Sequence, residues 1–194
     1  MNRTKRKIFE IAMKLFSEKG YEATSVEEIT ATVGVAKGTL YYHFSSKEEI
    51  FNFLVEEGIK LLKNSIQIKV SKCETTKDKI RAIVLIQMKA ADKYESLLSI
   101  VFSQMWGTGT RHQFCKDKIV EYIKVVEEVI KEGIKNGDIK KCDANIAATT
   151  IFSLTSSYMM YKKQAQKELN ILKIYKEFEK IIFNSLTFWN VTIL

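Results

Sequence analysis

The chain has 194 residues, 46% hydrophobic and 28% charged, a balance that supports a buried core and excludes a disordered polypeptide. With no proline and only eight glycines it has little material for the tight turns of an all-β protein, so an all-α fold is predicted. The net charge of +8 favours anionic partners such as nucleic acid or a membrane surface, although almost all of the excess is lysine, a usage that genomic bias would also produce.

In chain order, Ile8, Ile11, Ala12, Leu15 and Phe16 repeat at helical spacing over residues 4–19, and Gly20 closes that helix. Ser25 with Glu28 forms a capping box ahead of a second helix that starts at Val26 and is interrupted at Gly34. A short third helix is predicted over Ala36 to Phe44. Ser46 with Glu49 then caps a long fourth helix, whose residues Phe51, Leu54, Val55, Gly58, Ile59 and Leu62 hold one face to about residue 70. Further helices are predicted over about 77–92, 95–106, 112–135, from an Asp143 cap to about 167, and over about 169–189. That makes about nine helices, no strand and no flexible linker. The longest apolar run, Leu97 to Trp106, is far shorter than the ~20 residues a membrane span needs. The basic start lacks an apolar core and a cleavage site, so no export signal is read there. Three widely spaced cysteines, Cys73, Cys115 and Cys142, form no disulfide framework. A cytoplasmic protein is expected.

Residues 26–44 have the layout of a helix-turn-helix, whose second helix enters the DNA major groove. On a helical wheel Leu40, with Ala36 and Phe44, faces inward, whereas Lys37, Gly38, Tyr41 and Tyr42 face outward. An outer face of one lysine, one glycine and two tyrosines suits phosphates and base edges better than bulk water. Thr39 and His43 lie at its flanks, and Lys47, opening the fourth helix, adds a cation near a positive helix end. Residues 1–47 carry eight Lys/Arg against five Glu, net +3, leaving +5 for the other 147 residues.

These segments, GYEATSVEEI at 20–29 and VGVAKGTLYYHFSSKEE at 33–49, resemble the N-terminal signature of TetR/AcrR-family transcriptional regulators over about residues 4–52. The resemblance implies a three-helix DNA-binding domain at 1–47. A long fourth helix would join it to a larger helical ligand-binding and dimerisation domain at 48–194. It implies DNA contacts at Lys37, Gly38, Thr39, Tyr41, Tyr42, His43 and Lys47, with Thr24 and the basic residues near Thr4 on the backbone. Core packing is the competing reading for Tyr41, Tyr42 and His43.

The last helix carries a broad apolar stripe (171, 174, 175, 178, 181, 182, 185, 186 and 189). The helix before it offers Ile146, Thr149, Thr150, Ser153, Ser157 and Tyr161. Two such helices from each of two chains would form a four-helix homodimer interface, as the resemblance also implies; packing of the stripe into the chain's own core is the alternative. Two recognition helices would then meet half-sites of a palindromic double-stranded operator about 34–36 Å apart. Met88, Phe102, Met105, Trp106, Tyr122, Phe152, Tyr158 and Met159 are candidates to line a pocket for a largely hydrophobic effector; ordinary core packing is the alternative for each. The expected function is a repressor released from its operator by that effector. The alternative is a DNA-binding protein with no small-molecule inducer. His112 and Cys115 stand close in sequence, but the chain has only two histidines and a zinc site needs three or four ligands. No catalytic residue, metal or cofactor is predicted.

Overall fold

In the computed structural model, residues 2–165 and 170–187 are described; Trp189 and residue 167 of the expected last helices lie outside them. The described residues form nine α-helices: α1 (Arg3–Lys19), α2 (Val26–Val33), α3 (Lys37–His43), α4 (Lys47–Val70), α5 (Thr76–Lys93), α6 (Glu95–Ser103), α7 (Thr110–Lys135), α8 (Ala144–Gln164) and α9 (Ile171–Thr187). The all-α expectation therefore stands. The differences are at the ends. The sixth helix stops at Ser103 because the chain turns at Gln104 and Met105, whose amides bond Val101 O and Phe102 O, and α8 ends at Gln164.

Two compact units contain these helices. The first holds residues 1–61 and 94–119: α1 to α3, the start of α4, α6 and the head of α7. The second holds 62–93 and 120–194. The division after Lys47 follows the helix-turn-helix motif, whereas compactness joins α6 to the first unit because α6 packs on α1.

The first unit is built around side chains that the helical spacing marks as internal. Ile8, Phe16, Ile29, Leu40 and Phe44 are all at most 3% exposed. Local signals set the helix ends. Asn2 accepts the Lys5 amide at 2.8 Å, and Ser25 Oγ accepts the Glu28 amide at 3.0 Å. The expected capping boxes close differently from the pattern. Glu28 turns away to pair with Lys19, and Glu49 reaches the Ser45 amide and hydroxyl, both at 2.6 Å, while Ser46 Oγ takes the Glu49 amide. Between α2 and α3, Gly34 sits at φ 73°, ψ 36°, a left-handed conformation that only glycine adopts cheaply, and its amide bonds Thr30 O and Ala31 O.

In the second unit, α5 and α8 pack face to face. Asp143 caps α8 by accepting the Asn145 and Ile146 amides at 2.9 Å. Ala148, Ile151, Phe152, Thr155, Tyr158 and Met159 form its buried face.

Leu40 and Tyr42 lie two residues apart on α3 with opposite environments, 0% and 86% exposed. Leu40→Ala should destabilise the protein by about 2–5 kcal/mol, and Tyr42→Ala by less than about 0.5 kcal/mol, as read by chemical denaturation.

Candidate nucleic-acid interface

Seven residues make α3, too few for a stable helix in isolation. Burial of Leu40 and Phe44 holds it in place and so fixes which residues face outward. Lys37, Gly38, Thr39, Tyr41 and Tyr42 are all exposed, as the wheel predicts, and core packing is thereby set aside for both tyrosines. His43 is half-buried, with its ring 5.2 Å from that of Tyr42.

The backbone at Gly38 is ordinary helix, and a Cβ built there would meet nothing within 4 Å. The fold itself makes no demand for glycine at this position; a closely approaching partner surface would. Lys37 reaches back to Glu27 on α2 at 2.8 Å. That hydrogen bond raises the lysine's pKa and lowers the glutamate's. Both groups are exposed, and such pairs contribute little to stability, so a phosphate can take the ammonium over.

Two of the expected contacts have internal roles. Thr24 is 1% exposed, and its hydroxyl donates to Gly20 O at 2.8 Å and Leu15 O at 3.3 Å. It pins the α1–α2 turn, and the expected backbone contact there is corrected on that ground. Lys47 donates to Tyr21 O at 2.9 Å and Glu22 O at 3.2 Å and lies 4.3 Å from the centre of the Tyr21 ring. Its ammonium braces the same turn and has one further N–H to offer a phosphate.

A residue outside the sequence motif completes this brace. Arg111, at the head of α7, stacks 4.0 Å from the Tyr21 ring centre, pairs with Glu22 at 3.1 Å and donates to Gln104 Oε1 at 3.0 Å. Tyr21 in turn packs against Phe16 and Phe51. No local pattern announces Arg111; its partners Glu22 and Tyr21 lie 89 and 90 positions away in the chain.

The pocket candidates divide. Met88, Tyr122, Phe152, Tyr158 and Met159 are buried in the second unit, with Tyr122 and Phe152 rings 5.6 Å apart. Phe102 and Met105 are half-buried in the first unit, and Trp106 is 90% exposed, so it lines no enclosed space in this conformation. The helical spacing also hides two polar residues among these apolar ones. Gln87 falls in the stripe Ile80, Ile83, Val84, Met88, Ala91 of α5, and Thr155 in that of α8. A polar residue on an apolar stripe was the available signal for both.

Cys115 is fully buried and its thiol is pushed up to about 11 by that burial, which makes it a poor nucleophile. Among the described residues no three His, Cys, Asp or Glu side chains gather as a metal site, and no helix is long and apolar enough to cross a membrane.

An α3 anchored by buried Leu40 and Phe44, with Lys37, Gly38, Thr39, Tyr41 and Tyr42 exposed, has the arrangement of a helix-turn-helix DNA-binding regulator. The comparisons with known proteins agree. Residues 8–54 match the bacterial regulatory proteins of the tetR family, and residues 73–161 match the tetracyclin repressor-like C-terminal domain. A solved structure described as a fatty acid metabolism regulator of Clostridium perfringens is 33% identical, covers 94% of this chain and all of its own, and superposes with a TM-score of 0.86. The HTH-type regulator QacR of Staphylococcus aureus is 24% identical over 185 residues, 94% of this chain and 98% of its own. The regulator FadR of Bacillus subtilis, solved with stearoyl-CoA, is 21% identical, covers 91% of this chain and 96% of its own, and has a TM-score of 0.77. The chain belongs to the tetR family of bacterial transcriptional regulators; it is a DNA-binding regulator and not an enzyme.

Three substitutions test the interface, and an alkylation tests the burial of Cys115. Lys37→Ala should lower the slope of log K against log salt by about one, and Glu27→Gln should tighten binding by freeing Lys37, both read by fluorescence anisotropy. Gly38→Ala should weaken DNA binding while stabilising the fold by up to roughly 1 kcal/mol. Iodoacetamide at pH 8 should alkylate the exposed Cys142 and leave Cys115 unmodified in the native protein, as mass spectrometry will show.

Proposed function

We infer that the protein is a homodimeric repressor of a palindromic operator, released when a small, largely hydrophobic effector enters its C-terminal domain. The observation that carries the DNA half is the outward face of α3. Lys37, Thr39, Tyr41 and Tyr42 offer donors to phosphates and base edges around a glycine that permits close approach. His43 and the spare N–H of Lys47 extend that surface along the strand.

Dimerisation through the last two helices is supported by what their exposed positions carry. On α8, Ile146, Thr149, Thr150, Ser153, Ser157 and Tyr161 are all exposed, and Met160 joins them, while the opposite face is core. On α9, Ile181 of the expected stripe is more than half exposed, whereas its neighbour Ile182 is buried within the unit. Large apolar side chains beside small ones suit a second helix pair packing closely. Two recognition helices related by that symmetry would read half-sites one helical turn apart.

The effector is inferred to be an acyl compound, because the 33%-identical relative is described as a regulator of fatty acid metabolism and FadR was solved with stearoyl-CoA. The buried set Met88, Tyr122, Phe152, Tyr158 and Met159 offers soft and aromatic surface for such a chain. A preference of ~1–3 kcal/mol for the DNA-incompetent arrangement suffices for a 5- to 150-fold loss of affinity. α4 and α7 each start in the first unit and end in the second, so they are the chain's routes for that change.

The test is release of a bound operator duplex by acyl-CoA thioesters of graded chain length, followed by anisotropy. At least one should lower DNA affinity fivefold or more, free coenzyme A should have no effect, and the protein should sediment as a dimer throughout. A monomer would overturn the dimer reading, and DNA binding indifferent to every acyl compound would overturn the effector reading.

A further inference from the structure

The core of the second unit holds two buried polar atoms without a hydrogen-bond partner, Gln87 Oε1 and Thr155 Oγ1. Gln87 on α5 is 2% exposed and donates its amide to the Tyr122 hydroxyl on α7 at 2.6 Å. Its carbonyl oxygen, Oε1, has no partner. Tyr122 is fully buried, and burial drives its phenol pKa far up, so it is a neutral O–H at any physiological pH. Its ring packs on Phe152 of α8, and one turn further along the same buried face stands Thr155, 3% exposed, whose Oγ1 also lacks a partner.

Leaving a buried donor or acceptor unpaired costs about 1–3 kcal/mol, and native proteins keep few of them. Apolar replacements would be the cheaper choice for packing alone. Valine has the shape of threonine and leucine nearly that of glutamine, yet polar groups stand here on three helices that meet. The contrast with the neighbouring Tyr158 is informative: that phenol, equally buried, donates to Asp92 at 2.7 Å, and Lys162 holds the same carboxylate at 3.0 Å. Tyr158 is satisfied from within the protein, whereas Gln87 and Thr155 are not.

We propose that Gln87, Tyr122 and Thr155 form the polar anchor of the effector site, and that they receive an uncharged hydroxyl or carbonyl group carried on an apolar chain packed among Met88, Phe152 and Met159. This rests on the ligand-responsive reading above and names the chemistry of its site. The cluster supplies an acceptor in Gln87 Oε1, a donor in the Tyr122 O–H, and both in the Thr155 hydroxyl. All three are neutral, and none of the buried side chains around them is a cation. A carboxylate placed there would be a buried unpaired charge, which is strongly disfavoured; an alcohol, an amide or a thioester carbonyl would complete the hydrogen bonds without one. These residues are all buried in this conformation, so the effector enters by parting α5, α7 and α8 and selects the opened state.

The experiment uses the full-length protein with 1-decanol, decanamide, sodium decanoate and decanoyl-CoA as probes. Binding is read by calorimetry and thermal unfolding, and operator release by anisotropy. Wild-type protein should bind decanol and decanamide at least about tenfold more tightly than decanoate at pH 8. Thr155→Val and Gln87→Leu should weaken that binding about tenfold or more, with operator affinity unchanged. Without ligand the Tm of Thr155→Val should be equal or higher, because it removes an unpaired buried group, whereas that of Gln87→Leu should fall, because the buried Tyr122 hydroxyl loses its partner. The proposal is overturned if both variants bind the neutral probes as the wild type does, which would mean that the polar groups merely hold a buried water. Tighter binding of decanoate would overturn it too. Should decanoyl-CoA release the operator from wild type and variants alike, the ligand-responsive reading stands and this anchor falls. Should no probe release the operator from any of them, both fall.

Discussion

Everything the first unit does depends on the burial of two side chains, Leu40 and Phe44, at 0% and 3% exposure. A seven-residue helix does not persist in water on its own backbone bonds, and α3 has no side-chain cap at Ala36. Its helical state is imposed by the core it closes over. Because that anchoring fixes rotation about the helix axis, it also decides that Lys37, Gly38, Tyr41 and Tyr42 point away from the protein. A surface able to read DNA is thus a by-product of which residues the core takes.

The turn preceding α2 needs its own support, because it positions α2 and hence α3. Thr24 ties it to Leu15 and Gly20 from below. Around Tyr21, Lys47 holds two carbonyls and Arg111 stacks on the phenol ring. Two cations on one aromatic ring, each also hydrogen-bonded, make a stiffer arrangement than surface ion pairs alone. Arg111 belongs to α7, a helix whose other end lies in the second unit. One residue therefore contributes to the shape of the DNA-reading turn while its helix continues into the unit inferred to sense the ligand.

Much of this was legible in the residues themselves. Periodic apolar positions located the helices, Asp143 and Ser25 marked their starts, and the odd composition of the α3 outer face pointed to DNA before any resemblance was invoked. Patterns within a few residues carried those readings. The internal bonds of Thr24 and Lys47 are not legible in the sequence because their partners are carbonyls, which no side-chain pattern reveals. Arg111 was missed because its partners are far off in sequence. Trp106 was placed with the pocket by its apolar character, yet a short α6 leaves it on the surface. Gln87 and Thr155 were the opposite case. They were visible as polar interruptions of apolar stripes, but only their three-dimensional neighbours show that one atom of each is left without a partner.

The most direct test of the account is selection of duplexes from a random DNA library by the purified protein, alongside Tyr42→Ala. The account predicts recovery of a palindrome with half-sites about one helical turn apart, lost in the variant although its fold is intact. Recovery of unrelated sequences, bound weakly by both proteins and released at moderate salt, would contradict it: the basic N-terminal unit would then be an electrostatic patch, and the outward face of α3 would read nothing.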